Sequence, residues 1–282
     1  MEPISTTTGQ RGSRRYHDLA ANLSQSVVGL DFDGVLSPIV EDPAAAHIHP
    51  DAGEVLLALA QQARAVAVIT GRPARQALAL GGLDEVGSAI AEVGSELYLF
   101  GQYGNERWSS TDRRIVSPRP PHGLSAFMRE LPRLLRQADA AGAHLEEKGL
   151  AVAVHTRQLP ESDAARDRLV PLLKEVAARH DLVVEPGRAV VEVRSAGMHK
   201  GKVVETLVEE LDAKGFLFAG DDLGDLEAFH AVAELREAGL TTLLVCAASD
   251  EQSALVSLAD VVVPGPDGVL DLLRRLTADA RG

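Results

Sequence analysis

The stretch from Val27 to Ser37 constrains the fold more than any other part of the chain, because an apolar run ends abruptly in acidic residues. The apolar residues predict a buried β-strand, and Asp31, Asp33 and Gly34 follow it directly. In an open parallel sheet, ligands bind just beyond the carboxyl ends of the strands. We therefore expect an α/β fold with a parallel sheet and a ligand site at this strand end.

Asp31 and Asp33 stand two positions apart, so both carboxylates of an extended chain point to the same side. Two carboxylates this close repel each other unless a cation or a proton lies between them. The pair therefore indicates a hard divalent metal, most simply Mg²⁺. The same letters also make an ordinary strand-to-turn sequence, so this motif alone leaves both interpretations open.

Other strand-like runs end in polar turns of the same kind, and one helix begins with a lysine. The residues concerned are Thr70-Gly71-Arg72, Gly220-Asp221-Asp222 and Lys200. Because the carboxyl ends of parallel strands meet at one edge of a sheet, we expect these side chains to gather there. A threonine in such a position is also a common helix cap, and the two roles are compatible.

These residue types suit phosphoryl transfer. One carboxylate can attack phosphorus, and a second acid can protonate the leaving oxygen and then activate water. A hydroxyl and an ammonium can bind the remaining phosphate oxygens as charge builds up in the transition state. Each of these residue types therefore has a role to play in phosphoryl transfer.

The alternation of strands and helices is interrupted between residues 117 and 196. Prolines mark the first break, and the order that follows is helix, hairpin, helix, hairpin. That order predicts an inserted α+β cap domain over 117–196, with helices on one face of a small sheet. The catalytic core then comprises residues 27–116 and 197–282. We expect a flexible lead-in over residues 1–26 and a short strand over residues 89–93.

Charged residues on the strands of the predicted cap alternate in a way that puts them on one face. Glu146 and Lys148 share a face of one strand, and Glu192 and Arg194 share a face of another. Composition alone favours a solvated face. The functional alternative is a face that holds a polyhydroxylated substrate over the catalytic cleft.

The composition excludes several classes of partner. A formal net charge of −13 argues against nucleic acids and anionic membranes. No apolar run is long enough to cross a bilayer, and the first residues lack the apolar core of a signal peptide. A single cysteine, Cys246, fits a reducing compartment. We expect a cytoplasmic, monomeric protein that acts on a small molecule.

The motifs, taken in order, resemble those of the haloacid dehalogenase superfamily of phosphotransferases. The matching segments are Asp31-Phe32-Asp33-Gly34, Thr70-Gly71-Arg72, Lys200-Gly201 and Gly220-Asp221-Asp222. The resemblance implies a Rossmann-like core with Asp31 as the nucleophile and Asp33 as the general acid/base. It implies that Thr70 and Lys200 hold the phosphate and that Gly71 and Arg72 contact the substrate. The implied Mg²⁺ ligands are Asp31, the Asp33 carbonyl and Asp221, with Asp222 or Asp225 supporting the metal.

Within that superfamily, the chain from about Val27 onwards is similar to the trehalose-6-phosphate phosphatases. Further matching segments are Glu146-Glu147-Lys148, His155-Thr156-Arg157 and Val191-Glu192-Val193-Arg194. The resemblance implies Mg²⁺-dependent hydrolysis of trehalose 6-phosphate through an aspartyl-phosphate, a step of trehalose biosynthesis. It also implies that Glu146, Lys148 and Glu192 bind the disaccharide.

A few positions depart from that family. The family usually has threonine at Val35 and Gly224, and an Asn-His-Gly stretch where residues 92–96 read Glu-Val-Gly-Ser-Glu. These departures bear on the choice of sugar rather than on the phosphate chemistry. The alternatives are a phosphatase for sucrose phosphate or a glycosyl-phosphoglycerate, a mutase, or a non-catalytic sugar-phosphate sensor.

Overall fold

A computed structural model describes residues 9–40, 42–119, 122–187, 189–195, 197–248 and 253–281. The chain forms two compact units. The first comprises Met1–Ser117 and His199–Gly282, and the second, Pro118–Met198, is inserted into it. None of the helices in the described ranges is long and apolar enough to cross a membrane.

Strands and helices alternate along most of the first unit, and the second unit has two helix–hairpin pairs. The strands are β1 Ser26–Leu30, β2 Ala65–Ile69, β3 Leu97–Gly101, β4 Glu106–Ser109, β5 His144–Glu147, β6 Ala151–His155, β7 Leu182–Gly187, β8 Val190–Ser195, β9 Gly215–Gly220, β10 Thr241–Ala248 and β11 Val261–Pro264. The helices are α1 Gly9–Ala21, α2 Ala52–Ala60, α3 Ala74–Gly81, α4 Leu83–Glu92, α5 His122–Gln137, α6 Ser162–Ala178, α7 Lys200–Glu210, α8 Leu226–Glu237, α9 Ser253–Leu258 and α10 Gly265–Asp279.

The first unit is built on a seven-stranded sheet with the order β11-β10-β9-β1-β2-β3-β4. Its strands run parallel except β4, which pairs antiparallel with β3. Strand β1 lies between β2 and β9, and Leu30 at its end aligns with Val68 on one side and Ala219 on the other. The carboxyl ends of the three central strands therefore reach the same edge of the sheet.

Helices cover both faces of this sheet, which explains why its central strands read as continuous apolar runs. Successive side chains of a strand point to opposite faces. Val28 and Leu30 accordingly belong to the apolar cluster that includes residues of α1, α2, α3, α4 and α10, whereas Val27 belongs to the cluster that includes residues of α7, α8 and α9. The predicted α/β core with a parallel sheet is confirmed.

The expectation of a flexible lead-in is wrong for the residues from Gly9 onwards. Helix α1 packs on the core through Tyr16 and Leu19, and the Tyr16 hydroxyl donates a hydrogen bond of 2.8 Å to Asp279. The buried residues Leu19, Ala20 and Leu23 lie three, four and seven positions after buried Tyr16, which is the spacing of one helix face. The apolar residues of this face are few and stand among polar ones, so the sequence pattern did not predict the helix. Residues 1–8 lie outside the described ranges.

The short strand expected over residues 89–93 is also wrong, because residues 83–92 form helix α4. Leu83 and Ile90 are buried on the face that packs against the core, with Val86 partly buried beside them. A short apolar run fits either a strand or a buried helix segment. The helical spacing of the longer segment decided between them.

The second unit has its own four-stranded antiparallel sheet with the order β5-β6-β8-β7. Both predicted hairpins are present, as β5–β6 and β7–β8. Val152, Val154, Val191 and Val193 join residues of α5 and α6 in one apolar core. The residues that alternate with these valines, including Glu192, therefore lie on the face away from the helices. The predicted α+β character of this segment is confirmed.

Candidate active site

The candidate site lies at the carboxyl ends of β1, β2 and β9. These strands are neighbours in the sheet, so the residues that follow them lie close together. Asp31 follows β1, Thr70 follows β2 and Asp221 follows β9. The Asp31 amide still donates to the Ala219 carbonyl at 2.9 Å, so the nucleophile candidate is held by the sheet itself. All three side chains are buried.

Gly34 lets the loop after β1 pass close to β9. Its φ is +72°, and a Cβ placed on it would lie 2.2 Å from Oδ2 of Asp221. A residue with a side chain would therefore both strain the backbone and displace Asp221. The glycine of the Asp-x-Asp-Gly motif is required by this close approach.

Three buried carboxylates meet at the site. Oxygens of Asp31, Asp221 and Asp225 all lie within 4.8 Å of one another. The ammonium of Lys200, at the start of α7, lies 2.7 Å from Oδ1 of Asp31 and 2.7 Å from Oδ1 of Asp225. Lys200 is itself buried, so these charges interact with little screening by water.

The pKa values in this cluster show an excess of negative charge. Burial, followed by the charge of Asp225, raises the pKa of Asp31 well above its usual range, and Lys200 only partly offsets this. Burial, with Asp222 and Asp225, raises the pKa of Asp221 to about 8. Burial disfavours the Lys200 ammonium, but Asp225 and Asp31 outweigh that effect and raise its pKa. A divalent cation would relieve the surplus, and three carboxylates are the hard oxygen ligands that Mg²⁺ prefers.

The structure puts Asp225, rather than Asp222, in the carboxylate cluster. Asp222 is exposed, and its Oδ1 accepts a hydrogen bond of 2.8 Å from the Gly224 amide. Asp225 is fully buried and accepts from the Asp221 amide at 2.9 Å. The two acids form a capping box around a short 3-10 turn, which sends their side chains in different directions. Sequence reasoning singled out both acids without deciding between them.

Asp33 is bound by Arg72. Nε and Nη2 of Arg72 each donate to one carboxylate oxygen of Asp33 at 2.7 Å. Nη1 of Arg72 donates to the Pro43 carbonyl at 2.8 Å, and its guanidinium lies 5.5 Å from the centre of the Phe32 ring. The residue expected to contact substrate therefore holds the expected general acid/base in a bidentate ion pair.

Thr70 and Gly71 form a tight turn after β2. Oγ1 of Thr70 accepts from the Arg72 amide at 3.1 Å, and the Thr70 amide donates to the Phe100 carbonyl at 2.9 Å. The hydroxyl thus serves as a turn cap and still lies at the edge where the carboxylates gather. Both roles expected for this threonine remain compatible.

Sequence reasoning missed the segment that supports this turn, residues 102–104. Gln102 and Tyr103 both have left-handed backbone conformations, with φ of 47° and 59°. The Gln102 amide donates to the Arg72 carbonyl at 2.8 Å, and the Tyr103 amide donates to the Thr70 carbonyl at 3.0 Å. Two adjacent non-glycine residues in this conformation are uncommon and are typical of functional sites.

The Tyr103 ring fits against Gly71. A Cβ placed on Gly71 would lie 2.8 Å from Cζ of Tyr103, so a side chain at this position would displace the end of the ring. Below it, the Gln102 amide group donates to Glu106 at 3.0 Å, and Glu106 accepts from the Ala74 amide at 2.6 Å where α3 begins. The available signal was the polar Gln-Tyr-Gly turn that follows the apolar run of β3.

In the second unit, the three residues expected to bind sugar gather on the sheet face away from the helices. Glu146, Ala153 and Glu192 are direct neighbours across strands β5, β6 and β8. The Lys148 ammonium lies 2.6 Å from Oε2 of Glu192, which is buried. Glu146 is paired with Nε2 of His155 at 3.0 Å. The structure thus adds His155 to this polar cluster.

Comparisons with known proteins agree with these motifs. The chain is 31% identical over 251 residues to a trehalose-phosphate phosphatase of Mycolicibacterium paratuberculosis, a match over 82% of this chain and 60% of that protein. It is 36% identical over 216 residues to an uncharacterized glycosyl hydrolase of Mycobacterium tuberculosis, a match over 73% of this chain. The chain spans only 15% of that glycosyl hydrolase, so it corresponds to part of each relative's length.

The fold also matches solved structures. The C-terminal domain of a trehalose-6-phosphate phosphatase from C. albicans superposes with a TM-score of 0.75 at 20% identity, over 98% of this chain and 99% of that one. The sequence model of the trehalose-phosphatase family matches residues 29–262. That range contains the acidic cluster, Lys200, the turn after β2 and the whole second unit. The chain therefore belongs to the trehalose-phosphatase family.

Proposed function

We propose that this protein hydrolyses trehalose 6-phosphate to trehalose and inorganic phosphate. The observation that carries the proposal is the buried group of Asp31, Asp221, Asp225 and Lys200 at the ends of the central strands. Membership of the trehalose-phosphatase family supports the choice of substrate. The reaction places the protein in trehalose biosynthesis.

Asp31 is the proposed nucleophile. One of its oxygens attacks phosphorus, and the bond between phosphorus and the sugar oxygen breaks, with its electron pair going to the sugar oxygen. Asp33 gives that oxygen a proton, so trehalose leaves as an alcohol. Asp33 then takes a proton from water as the water oxygen attacks phosphorus, which frees phosphate and restores the Asp31 carboxylate.

Lys200 and Thr70 are the proposed phosphate ligands. An ammonium has three donors, and Asp31 and Asp225 account for two of them on Lys200, leaving one to point at a phosphate oxygen. The Thr70 hydroxyl is held at the same sheet edge by the turn that includes Gly71. Both groups are fixed before substrate arrives, and such preorganisation favours the transition state.

Mg²⁺ is the proposed cofactor. Asp31, Asp221 and Asp225 would hold it, with the Asp33 carbonyl as a further ligand and Asp222 supporting the loop from outside the cluster. Bound there, the ion would neutralise charge on the nucleophile and on the phosphate oxygens. The excess negative charge of the three buried carboxylates supports this assignment over a metal-free site.

Glu146, Lys148 and Glu192 of the second unit are the proposed sugar ligands. Carboxylates accept from sugar hydroxyls and an ammonium donates to them, so a paired set can satisfy several hydroxyls together. Burial of the Lys148–Glu192 pair strengthens these contacts relative to an exposed ion pair. His155 orients Glu146 in the same cluster.

Two of the departures from the family pattern have structural explanations. Val35 is fully buried in the apolar core beneath β1, so its methyl groups fill space there. Residues 92–96 precede β3, so they lie at the opposite sheet edge from the carboxylates. The segment at the active edge after β3 is residues 102–104, which makes Tyr103 a better candidate for influencing substrate choice.

The test is phosphate release from trehalose 6-phosphate, with and without Mg²⁺, beside sucrose 6-phosphate and glucose 6-phosphate. The Asp31→Asn variant should abolish release, and Asp18→Asn, on the exposed side of α1, should leave it unchanged. Release from another sugar phosphate alone would keep the mechanism and replace the substrate. Tight binding of trehalose 6-phosphate without turnover would instead identify a sugar-phosphate sensor.

A further inference from the structure

A cavity lies in the first unit, away from the carboxylate cluster. Its volume is about 570 Å³, and α1, α8, α9 and strand β10 enclose it. The charged residues of its lining, within the described part of the chain, are Arg11, Arg15, Arg236 and Asp260, with His230 beside them. None of these residues belongs to the motifs that define the proposed phosphatase.

The arginines outnumber the acids in this cavity. The buried carboxylate of Asp260 is shared, because Arg15 binds Oδ1 and Arg236 binds Oδ2, the latter at 2.5 Å. Oδ2 also accepts from the Leu244 amide at 2.9 Å. Arg11 has no carboxylate partner among the residues that the structure describes. Among the lining residues that the structure describes, three guanidinium groups therefore face a single carboxylate, in a chain whose net charge is −13.

The position of the cavity separates it from the proposed catalytic site. Nε of Arg236 donates to Thr242 at 2.8 Å, and Thr242 lies near the amino end of β10. Asp260 stands just before β11 begins. The carboxylates of the proposed active site lie beyond the opposite, carboxyl ends of the strands. A ligand here would not compete directly with substrate.

Arg236 is half-buried beside Asp260 and Arg15. Burial, opposed by Asp260, lowers the pKa of its guanidinium, and the nearby charge of Arg15 lowers it further. Glu237 next to it acts in the opposite direction but does not line the cavity. Like charges held together in a half-buried space favour binding of an anion.

We propose that this cavity binds a phosphate-type dianion, either inorganic phosphate or a small phosphate monoester. Guanidinium groups present forked donors that match phosphate oxygens, whereas a cation would be repelled by the arginine surplus. The cavity is larger than phosphate needs, and Phe229 and Leu244 give it an apolar wall for the carbon skeleton of an ester. Arg11 is the arginine available for direct contact.

The test measures binding without turnover. Inorganic phosphate is titrated by calorimetry into the full chain in the presence of a chelator, which disfavours the proposed metal-dependent site. We expect one phosphate per chain. Arg11→Gln should weaken this step about tenfold or more, since a charge-assisted hydrogen bond is lost. Arg14→Gln removes the same charge from an exposed position of α1 and should leave it unchanged.

Further titrations show which site binds the phosphate and whether the ligand is inorganic phosphate or a phosphate ester. Thr70→Val should leave the chelator-resistant step intact, because it removes one hydroxyl of the proposed catalytic site and leaves no buried charge without its partner. Glucose 6-phosphate and glycerol 3-phosphate replace phosphate in parallel titrations. Tighter binding of an ester than of phosphate would identify the natural ligand as a phosphorylated metabolite. Equal or weaker binding would identify it as inorganic phosphate. Absence of the step, equal weakening by Arg11→Gln and Arg14→Gln, or its loss in Thr70→Val would overturn the proposal. These readouts are independent of phosphatase activity.

Discussion

The carboxylate of Asp33 receives two hydrogen bonds of 2.7 Å from Nε and Nη2 of Arg72. A bidentate guanidinium stabilises an ionised carboxylate, whereas the proposed first step needs Asp33 to donate a proton. The proposed mechanism therefore requires this ion pair to loosen when substrate binds. Arg72 therefore holds the Asp33 carboxylate in position before substrate binds.

The Arg72→Lys variant tests this relationship, because lysine keeps the charge and loses the fork. We expect kcat for trehalose 6-phosphate to fall about ten- to a hundredfold, the equivalent of one or two charge-assisted hydrogen bonds. Arg75→Lys, at an exposed position of α3, serves as the control. A variant with unchanged kcat would show that the fork does not position Asp33 for catalysis.

Lys200 should matter for stability as well as for activity. Replacing it with methionine leaves two buried carboxylates without their cation, which costs about 3–5 kcal/mol in the free energy of unfolding. Urea unfolding at pH 8 without metal measures this loss, and Mg²⁺ should recover part of it. Lys202→Met changes an exposed lysine of the same helix and should have little effect on stability. Equal losses in both variants would argue against the buried ion pairs as the cause.

Gly34 and Gly94 form a matched pair for testing the geometry of the proposed metal site. Both have positive φ, +72° and +79°, so alanine should cost each about 1–2 kcal/mol of backbone strain. A Cβ at Gly34 meets Asp221, whereas a Cβ at Gly94 meets nothing within 4 Å. We expect Gly34→Ala alone to lose Mg²⁺ binding in calorimetric titrations. Retained affinity in Gly34→Ala would exclude Asp221 from the metal site.

The raised pKa of Asp221 predicts an unusual pH dependence of metal-free stability. The folded protein binds a proton at Asp221 up to about pH 8, whereas the unfolded chain releases it near the ordinary value of 3.8. Stability should therefore fall as pH rises between these values, by up to about 1.4 kcal/mol per pH unit for this group. Asp31 contributes in the same direction.

Urea unfolding between pH 5 and pH 8 in chelator measures this slope, and Asp221→Asn should reduce it. Because metal ligands must be deprotonated, Mg²⁺ should raise the melting temperature more at pH 8 than at pH 6. An equal shift at both pH values would contradict the assignment of Asp221 as a ligand with a raised pKa.

Glu192→Gln separates sugar recognition from phosphate chemistry. We expect KM for trehalose 6-phosphate to rise about tenfold or more, through loss of a charged acceptor, and turnover of p-nitrophenyl phosphate to stay unchanged. Glu147→Gln, exposed on β5, is the matched control. Equal losses on both substrates would point to a folding defect in the second unit rather than to sugar binding.

Local sequence was enough to predict the parallel core, the hairpins of the second unit and the strand ends that carry Asp31, Thr70 and Asp221. The reason is that an apolar run followed by polar residues defines a strand and its end, and parallel strands end at one edge. For Glu192 and Lys148, the sequence predicted only a position on a polar sheet face and not that the two side chains pair. Period-two alternation determines a face but not which neighbours meet on it.

Tertiary structure alone decided which acids join Lys200, what Arg72 binds and how α1 packs. Asp222 and Asp225 differ by three positions in a tight turn, and only the path of that turn buries one and exposes the other. The contacts of Arg72 with Asp33 and of Tyr103 with Gly71 join residues that are distant in sequence. The cavity lined by Arg11, Arg15 and Arg236 brings α1, which precedes β1, together with α8, which follows the second unit in sequence. Such contacts depend on how elements pack, which propensity and periodicity do not encode.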